Sequence, residues 1–166
     1  MAATGGWSTP VSAEVRQVDL PSAARALSTL ARVDYCDAFV FDVGAAHDES
    51  AEELIREFLE GAPVAVRTQL VSGWSAIGLK VGRTSGRSIL GWEIRRTEPD
   101  HVLLGAESRI GMPGELLLKK DDDALLFATF VAKRNLIARA VWAVTEPVHV
   151  RVVRDILAQA SLRLRT

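Results

Sequence analysis

His149 is the residue of this chain whose type and setting most invite chemistry. It lies in "AVWAVTEPVHVRVVRDIL", on the same helical face as Val152, Val153, Ile156 and Ala160, while Arg151, Arg154, Asp155 and Arg165 fall opposite. An imidazole on an apolar face can orient a ligand or move a proton near neutral pH, as a general acid or base. The plainer reading is a core histidine hydrogen-bonded to a carbonyl or a buried carboxylate, because a buried polar group needs a partner in any event. On the sequence alone the plainer reading is preferred, and His149 is carried forward as the one candidate catalytic residue.

Other chemistry-bearing groups have ordinary explanations. Paired carboxylates must converge on one pocket to do acid–base work, whereas Glu93, Glu107 and Glu115 alternate onto what reads as a charged, solvated outer face. "HDES" (His47, Asp48, Glu49, Ser50) lacks regular ligand spacing and has a capping role, so no metal is expected. Gly78, Gly82 and Gly86 flank Lys80, Arg83 and Arg87 but match neither phosphate-binding glycine pattern, and no cofactor is expected. Ser72 and Ser75 lack a nucleophile elbow. Cys36 reads as a small packing residue.

These side chains must be positioned by recognisable elements. Residues 1–18 read as a flexible tail that includes Trp7, and 19–166 as a single domain. "DLPSAARALSTLARV" reads as a short helix. "CDAFVFDV" reads as a strand with Phe39 and Phe41 on one face and Val40 on the other. Ser50 and Glu53 form a capping box, and Gly61 suits a left-handed helix end. Pro63 then opens a second helix with Val66, Leu70, Trp74 and Ile77 as its apolar stripe.

After "GRTSGR" the period changes to two. "SILGWEIRR", "HVLLGAESRI", "ELLLKK" and "ALLFATFVA" read as strands of an antiparallel meander, the last apolar on both faces, making five strands with the first. Glu93, Arg95, Glu107, Arg109, Glu115 and Lys119 share one face, with Arg109 near Glu115 across the "GMPG" turn. The other face, with Leu90, Trp92, Ile94, Val102, Leu104, Ala106, Leu116 and Leu118, needs a cover that only helices can supply. Asn135 caps a last helix running to about Arg163. Before Pro147, Ile137, Val141 and Val144 share a face; after it, Val152, Val153, Ile156 and Ala160 do. These faces differ by more than a right angle, which predicts a kink or break at Pro147. Trp142 falls off that stripe.

The composition is that of a folded globular chain: 166 residues, 48% apolar and 25% charged. A formal net charge of −1 gives no field for gathering nucleic acid, and no run approaches the roughly 20 apolar residues that cross a bilayer. The single cysteine permits no internal disulfide, and the start of the chain lacks a basic region followed by an apolar core, so a cytoplasmic location is expected.

The order of strand, two helices, antiparallel meander and long C-terminal helix resembles the helix-grip fold of the START and polyketide-cyclase (SRPBCC) superfamily. "DYCDAFVFDV", "GMPGELLLKK" and "IARAVWAVTEPVHVRVV" are similar to an uncharacterised, actinobacterial-like bacterial family within it, over residues 34 to 163. The resemblance implies an α+β fold: a curved antiparallel sheet wrapped around a Pro-kinked terminal helix, with about seven strands, so that a strand pair is missing or hidden among residues 64 to 90. It implies a small apolar ligand, lipid or polyketide-like, held between sheet and helix by Trp74, Trp92, Ile94, Leu104, Phe130, His149, Val152 and Ile156. Two alternatives stay open: a cyclase or dehydratase using His149 as general acid or base, and a filled-core module without a ligand that works through a homodimer surface.

Overall fold

A computed structural model of the protein describes residues 14–43, 48–82, 87–122 and 124–165. The strands are β1 (Val15–Val18), β2 (Tyr35–Phe41), β3 (Ser88–Ile89), β4 (Trp92–Glu98), β5 (His101–Ala106), β6 (Gly114–Lys120) and β7 (Leu125–Val131). The helices are α1 (Ser22–Arg25), α2 (Ala51–Glu60), α3 (Val64–Ala76) and α4 (Leu136–Arg165). The strands form one curved antiparallel sheet in the order β1-β2-β7-β6-β5-β4-β3. With α2 and α4 packed on one face of the sheet, this α+β arrangement is a helix-grip fold.

Two strands beyond the five expected complete the sheet. β1 pairs with β2 through Val15 opposite Phe41 and so takes up the end of the expected tail; Trp7 lies outside the described residues. β3 is the first arm of a two-residue hairpin that divides what reads as one strand, "SILGWEIRR". Leu90 (φ 48°) and Gly91 (φ 89°) form the turn, and Ile89 pairs with Trp92. Positive φ at both central residues is the type I′ geometry whose twist matches that of paired strands. A carboxylate oxygen of Glu60, at the end of α2, accepts the Leu90 N–H at 3.2 Å.

α2 begins as its sequence predicts. Ser50 accepts the Glu53 N–H at 3.2 Å and Glu53 accepts the Ser50 N–H at 2.7 Å, which satisfies two free donors of the first turn. Gly61 closes the helix with φ −77°, in the right-handed region rather than the left-handed one expected. Asp48 and Glu49 precede the cap, and His47 lies outside the described residues.

α4 is helical throughout its 30 residues, Pro147 included, so of the expected kink or break there is no break. The inward face differs from the one expected: Ile137 and Val144 are 66% and 79% exposed. The buried apolar residues are Ala138, Trp142, Val153, Leu157 and Ala160. At 100° per residue these, with His149 and Ile156, lie within about 60° of Trp142, so one uninterrupted helix buries a single stripe. Pro147 removes one donor on the exposed side, a defect that packing along the other side holds in place.

Both sheet faces are covered. On the concave face Phe39, Phe41, Leu104, Leu116 and Phe127 pack with Leu54 and Phe58 of α2 and Val153 and Leu157 of α4. On the convex face Ala38, Leu103, Leu117, Ala128 and Phe130 lie under Leu20, Leu27, Leu30 and Val33 from the segment after β1. That double cover explains why all seven residues of β7 are buried.

The convex face also corrects the expected exposure of Glu115. Its carboxylate is completely buried and accepts from the Ser28 hydroxyl (2.5 Å), the Thr29 N–H (3.0 Å), the Thr29 hydroxyl and Arg95 (3.2 Å). Arg95 is the extra residue of a β-bulge between Ile94 and Arg96. Its guanidinium fills the space that a side chain on Gly105 would take. Glu115 is paired in register with Gly105, and its ionic partner is Arg95, not Arg109. Glu93, Glu107 and Arg109 are exposed, as expected.

Two carboxylates tie distant segments together and set an acid limit. The Lys133 N–H donates to Asp34 at 2.7 Å and Arg32 at 2.5 Å, holding the Asp34 carboxyl below its ordinary 3.8. Burial would raise Glu52, but hydrogen bonds from Thr97 and Arg87 outweigh it and hold Glu52 below its ordinary 4.5. A depressed folded value means stability is fully present above 4.5 and is lost as pH falls through 4.5 and 3.8 toward the folded values. Urea midpoints should therefore stay flat from pH 7 to about 5 and drop below about 4. Asp34→Asn should lessen that drop; an unchanged acid profile in Asp34→Asn would discount the Asp34 contribution.

Candidate functional site

Between the concave face, α3 and α4 lies a cavity of about 370 Å³. Its floor is sheet, including Trp92, Leu116 and Thr129, and its walls are Leu70 and Trp74 of α3, Ile77 just after it, and Trp142, His149 and Val152 of α4. The mouth opens between the helices, where the lining residues Gln69, Gly73 and Ala76 of α3 and Val144 and Val148 of α4 are exposed. A smaller recess of about 50 Å³ shares Leu70, Trp74, Leu116, His149 and Val152 and reaches Ile156 beneath α2. The lining is mostly apolar, with a few polar groups among it, as in small-molecule sites generally.

Of the expected wall residues, Trp74, Trp92, His149 and Val152 line the main cavity and Ile156 lines the recess. Ile94 and Leu104 are in the concave core but line neither space. Phe130 is a correction. In β7 side chains alternate, so Thr129 and Val131 face the cavity while Phe130 is buried in the convex core. Trp74 and Trp92 meet edge to face, ring centroids 5.4 Å apart.

His149 turns inward and its partner is a buried carboxylate. Its Nε2 lies 2.9 Å from Asp37 Oδ2, and the Tyr35 hydroxyl donates to the same oxygen at 2.7 Å. Asp37 is 4% exposed. Tyr35 and Trp142 flank the imidazole, with centroids 6.2 Å and 5.2 Å from it and 4.8 Å from each other. Burial, then the hydrogen bond to Asp37, pushes the Tyr35 phenol far above its ordinary range, so it remains a donor.

A carboxylate can only accept, so Asp37 takes protons in hydrogen bonds from both Tyr35 and His149 Nε2. That fixes the histidine tautomer and leaves Nδ1 as the nitrogen without a protein partner. Three other side chains lining the cavity carry donors with no partner: Thr129 Oγ1 and the indole nitrogens of Trp92 and Trp142.

Asp37, Tyr35, Thr129 and Trp142 are absent from the sequence reading of the site. The signal for Asp37 and Tyr35 is the same alternation that pairs Phe39 with Phe41: counting back by two puts a carboxylate and a phenol on the inward face. Among the described residues no three His, Cys, Asp or Glu side chains gather as a metal set, and no helix is long and apolar enough to cross a membrane.

No protein-family model matches the chain, and no curated protein matches it. A solved structure that it matches is CalU16 from Micromonospora echinospora, 12% identical over 92% of this chain and 96% of that one, with a TM-score of 0.25.

Proposed function

We propose that the chain is a helix-grip domain of the START and polyketide-cyclase type that binds a small apolar molecule, lipid or polyketide-like, in the cavity between the sheet and α4. The observation carrying this reading is the 370 Å³ space itself, walled by Trp74, Trp92, Trp142 and Val152 and opening between two helices. Close packing is the rule in protein interiors, and a filled-core module would have no use for a void of this size. Apolar surface around the cavity supplies affinity, and the few polar groups in its wall orient the guest.

Native mass spectrometry after gentle purification should show a co-purifying small molecule. A panel of lipids and polyketide-like aromatics should raise the melting temperature. At a hundredfold excess over Kd a ligand stabilises by about 2.7 kcal/mol, which for a chain of this size is roughly 5–10 °C. Val152→Trp places an indole in the cavity and should abolish the ligand-induced shift while leaving the unliganded melting temperature within a few degrees. A panel without a hit, together with an empty mass spectrum, would count against the reading.

A further inference from the structure

We propose that the outward face of α4 pairs with the same face of a second copy of this chain, the two helices antiparallel, and that the pair covers the mouths of both cavities.

The solvent side of the first half of α4 carries the proposal. Ile137, Val144 and Val148 are 66%, 79% and 53% exposed, and Val141 between them is half-buried. Their spacing of four, three and four residues is that of the seam along which two helices interlock. Ala140, Ala143 and Pro147, also exposed, fill the rest of the outward arc. The charged side chains of this stretch, Arg139 and Glu146, fall within about 60° of the buried Trp142, away from the seam. Across the mouth, the exposed bank of α3 is uncharged Gln69, Gly73 and Ala76, of which the last two are small enough to let another helix approach closely.

Charge identifies the occupant. Extended at the same spacing, the stripe runs from Arg134, just ahead of α4, to Asp155, two turns past Val148, and both ends are exposed. An antiparallel copy centred between Val144 and Thr145 sets Arg134 of each chain opposite Asp155 of the other, and Val141 opposite Val148. Arg151 then falls opposite the apolar turn at Ile137 and Ala138. A parallel copy would oppose like charges at both ends, which disfavours it. An anionic lipid surface has no complement for Asp155, and the small side chains of α3 give it little to take up. Residues 134–155 run about 33 Å, and with the α3 bank the face is about 20 Å across, two helix diameters. That is on the order of 700 Å², near the roughly 800 Å² per partner of a standard-size interface.

Val144 and Val148 also line the mouth between α3 and α4, so a helix seated on them lies over the opening. This part rests on the reading of the cavity as a ligand site: a guest enters and leaves the monomer, and the dimer retains it.

The test is sedimentation velocity of the whole chain from about 1 to 100 μM. Wild type should reach twice the 18.0 kDa of one chain. Val144→Glu and Ile137→Arg should stay monomeric with unchanged far-UV circular dichroism, because both positions are exposed. Arg134→Glu and Asp155→Arg should each weaken association by about tenfold or more, and the two together should restore it. The apolar fluorophore N-phenyl-1-naphthylamine reports the mouth. It should leave the dimer at least about tenfold more slowly than it leaves Ile137→Arg, whose substitution lies off the cavity lining. A monomeric wild type, a dimer that survives Val144→Glu and Ile137→Arg, or a double charge reversal that fails to restore association overturns the pairing. A monomer that instead sediments with phosphatidylglycerol vesicles assigns the face to lipid and overturns it too. Equal release from dimer and variant overturns the covered mouth. A probe that binds neither overturns the covered mouth together with the reading of the cavity, while the pairing of α4 stands.

Discussion

Glu115→Ala is expected to destabilise the protein by about 3–5 kcal/mol, the cost of breaking a buried charge cluster by removing one partner. The melting temperature should fall by on the order of 10 °C. The Glu115 carboxylate, fully buried, is the common acceptor for the Ser28 hydroxyl, the Thr29 N–H and hydroxyl, and Arg95. Alanine would strand all of these donors under the covering segment. Arg95, 17% exposed at its side chain, would keep the Thr29 hydroxyl oxygen at 3.5 Å and, as its one carboxylate partner, Glu107 at 3.1 Å, which is 61% exposed and offsets little in solvent. Glu115→Gln should fall between, since its amide oxygen still accepts.

The same cluster supplies its own control. Replacing both charges, Arg95→Met with Glu115→Leu, should recover most of the loss, because apolar packing substitutes well for a buried pair. Gly105→Ala should behave like loss of Arg95, since its methyl group would occupy the space of the guanidinium. Combined with Arg95→Ala it should then add little. Equilibrium urea unfolding measures all of these, and a Glu115→Ala loss below about 1 kcal/mol would remove the cluster from any account of the fold.

What the sequence discloses here depends on whether the deciding interaction is local. The capping box of Ser50 and Glu53 and the Asn135 cap of α4, where the Ala138 N–H meets Asn135 Oδ1 at 2.8 Å, are decided within four residues and are legible. Alternation likewise placed Glu115 on the correct face. Its exposure was unreadable because the segment from Leu20 to Val33 that covers it is more than 80 residues away in sequence. Traces of that cover were present in Leu103, Leu117 and Phe130, apolar residues on a face that reads as solvated.

Short strands are hidden for a different reason. β1 is four half-exposed edge residues, and β3 is two residues ahead of a turn whose first central residue is leucine, where Asn, Asp or Gly is the usual signal. In α4 small residues misled the reading. Ala138 and Ala160 are fully buried, whereas the bulkier Ile137 and Val144 point outward. The candidate site followed the same logic: His149 was legible as a polar residue on an apolar stripe, but its partner Asp37 lies 112 residues away on another element.

Trp142→Ala should lower stability by about 3–5 kcal/mol, as large aromatic truncations in a core do, and should also enlarge the cavity. The indole is 4% exposed and packs against Met112, Val131 and Ala138 as well as the Tyr35 ring. One side of it belongs to the core and another to the cavity wall, so its removal should join the vacated volume to a space that already opens between α3 and α4. A relatively apolar void of this kind takes up aromatic guests, and a guest that binds only the folded state stabilises it by mass action. Indole at millimolar concentration should therefore raise the melting temperature of Trp142→Ala by several degrees more than that of wild type, and Trp142→Phe should show a smaller loss and a weaker rescue. The comparison separates two physical roles: a loss of stability that indole does not reverse would make Trp142 a core residue sealed from the cavity, and a rescue equal to wild type would place its side chain outside the guest's reach.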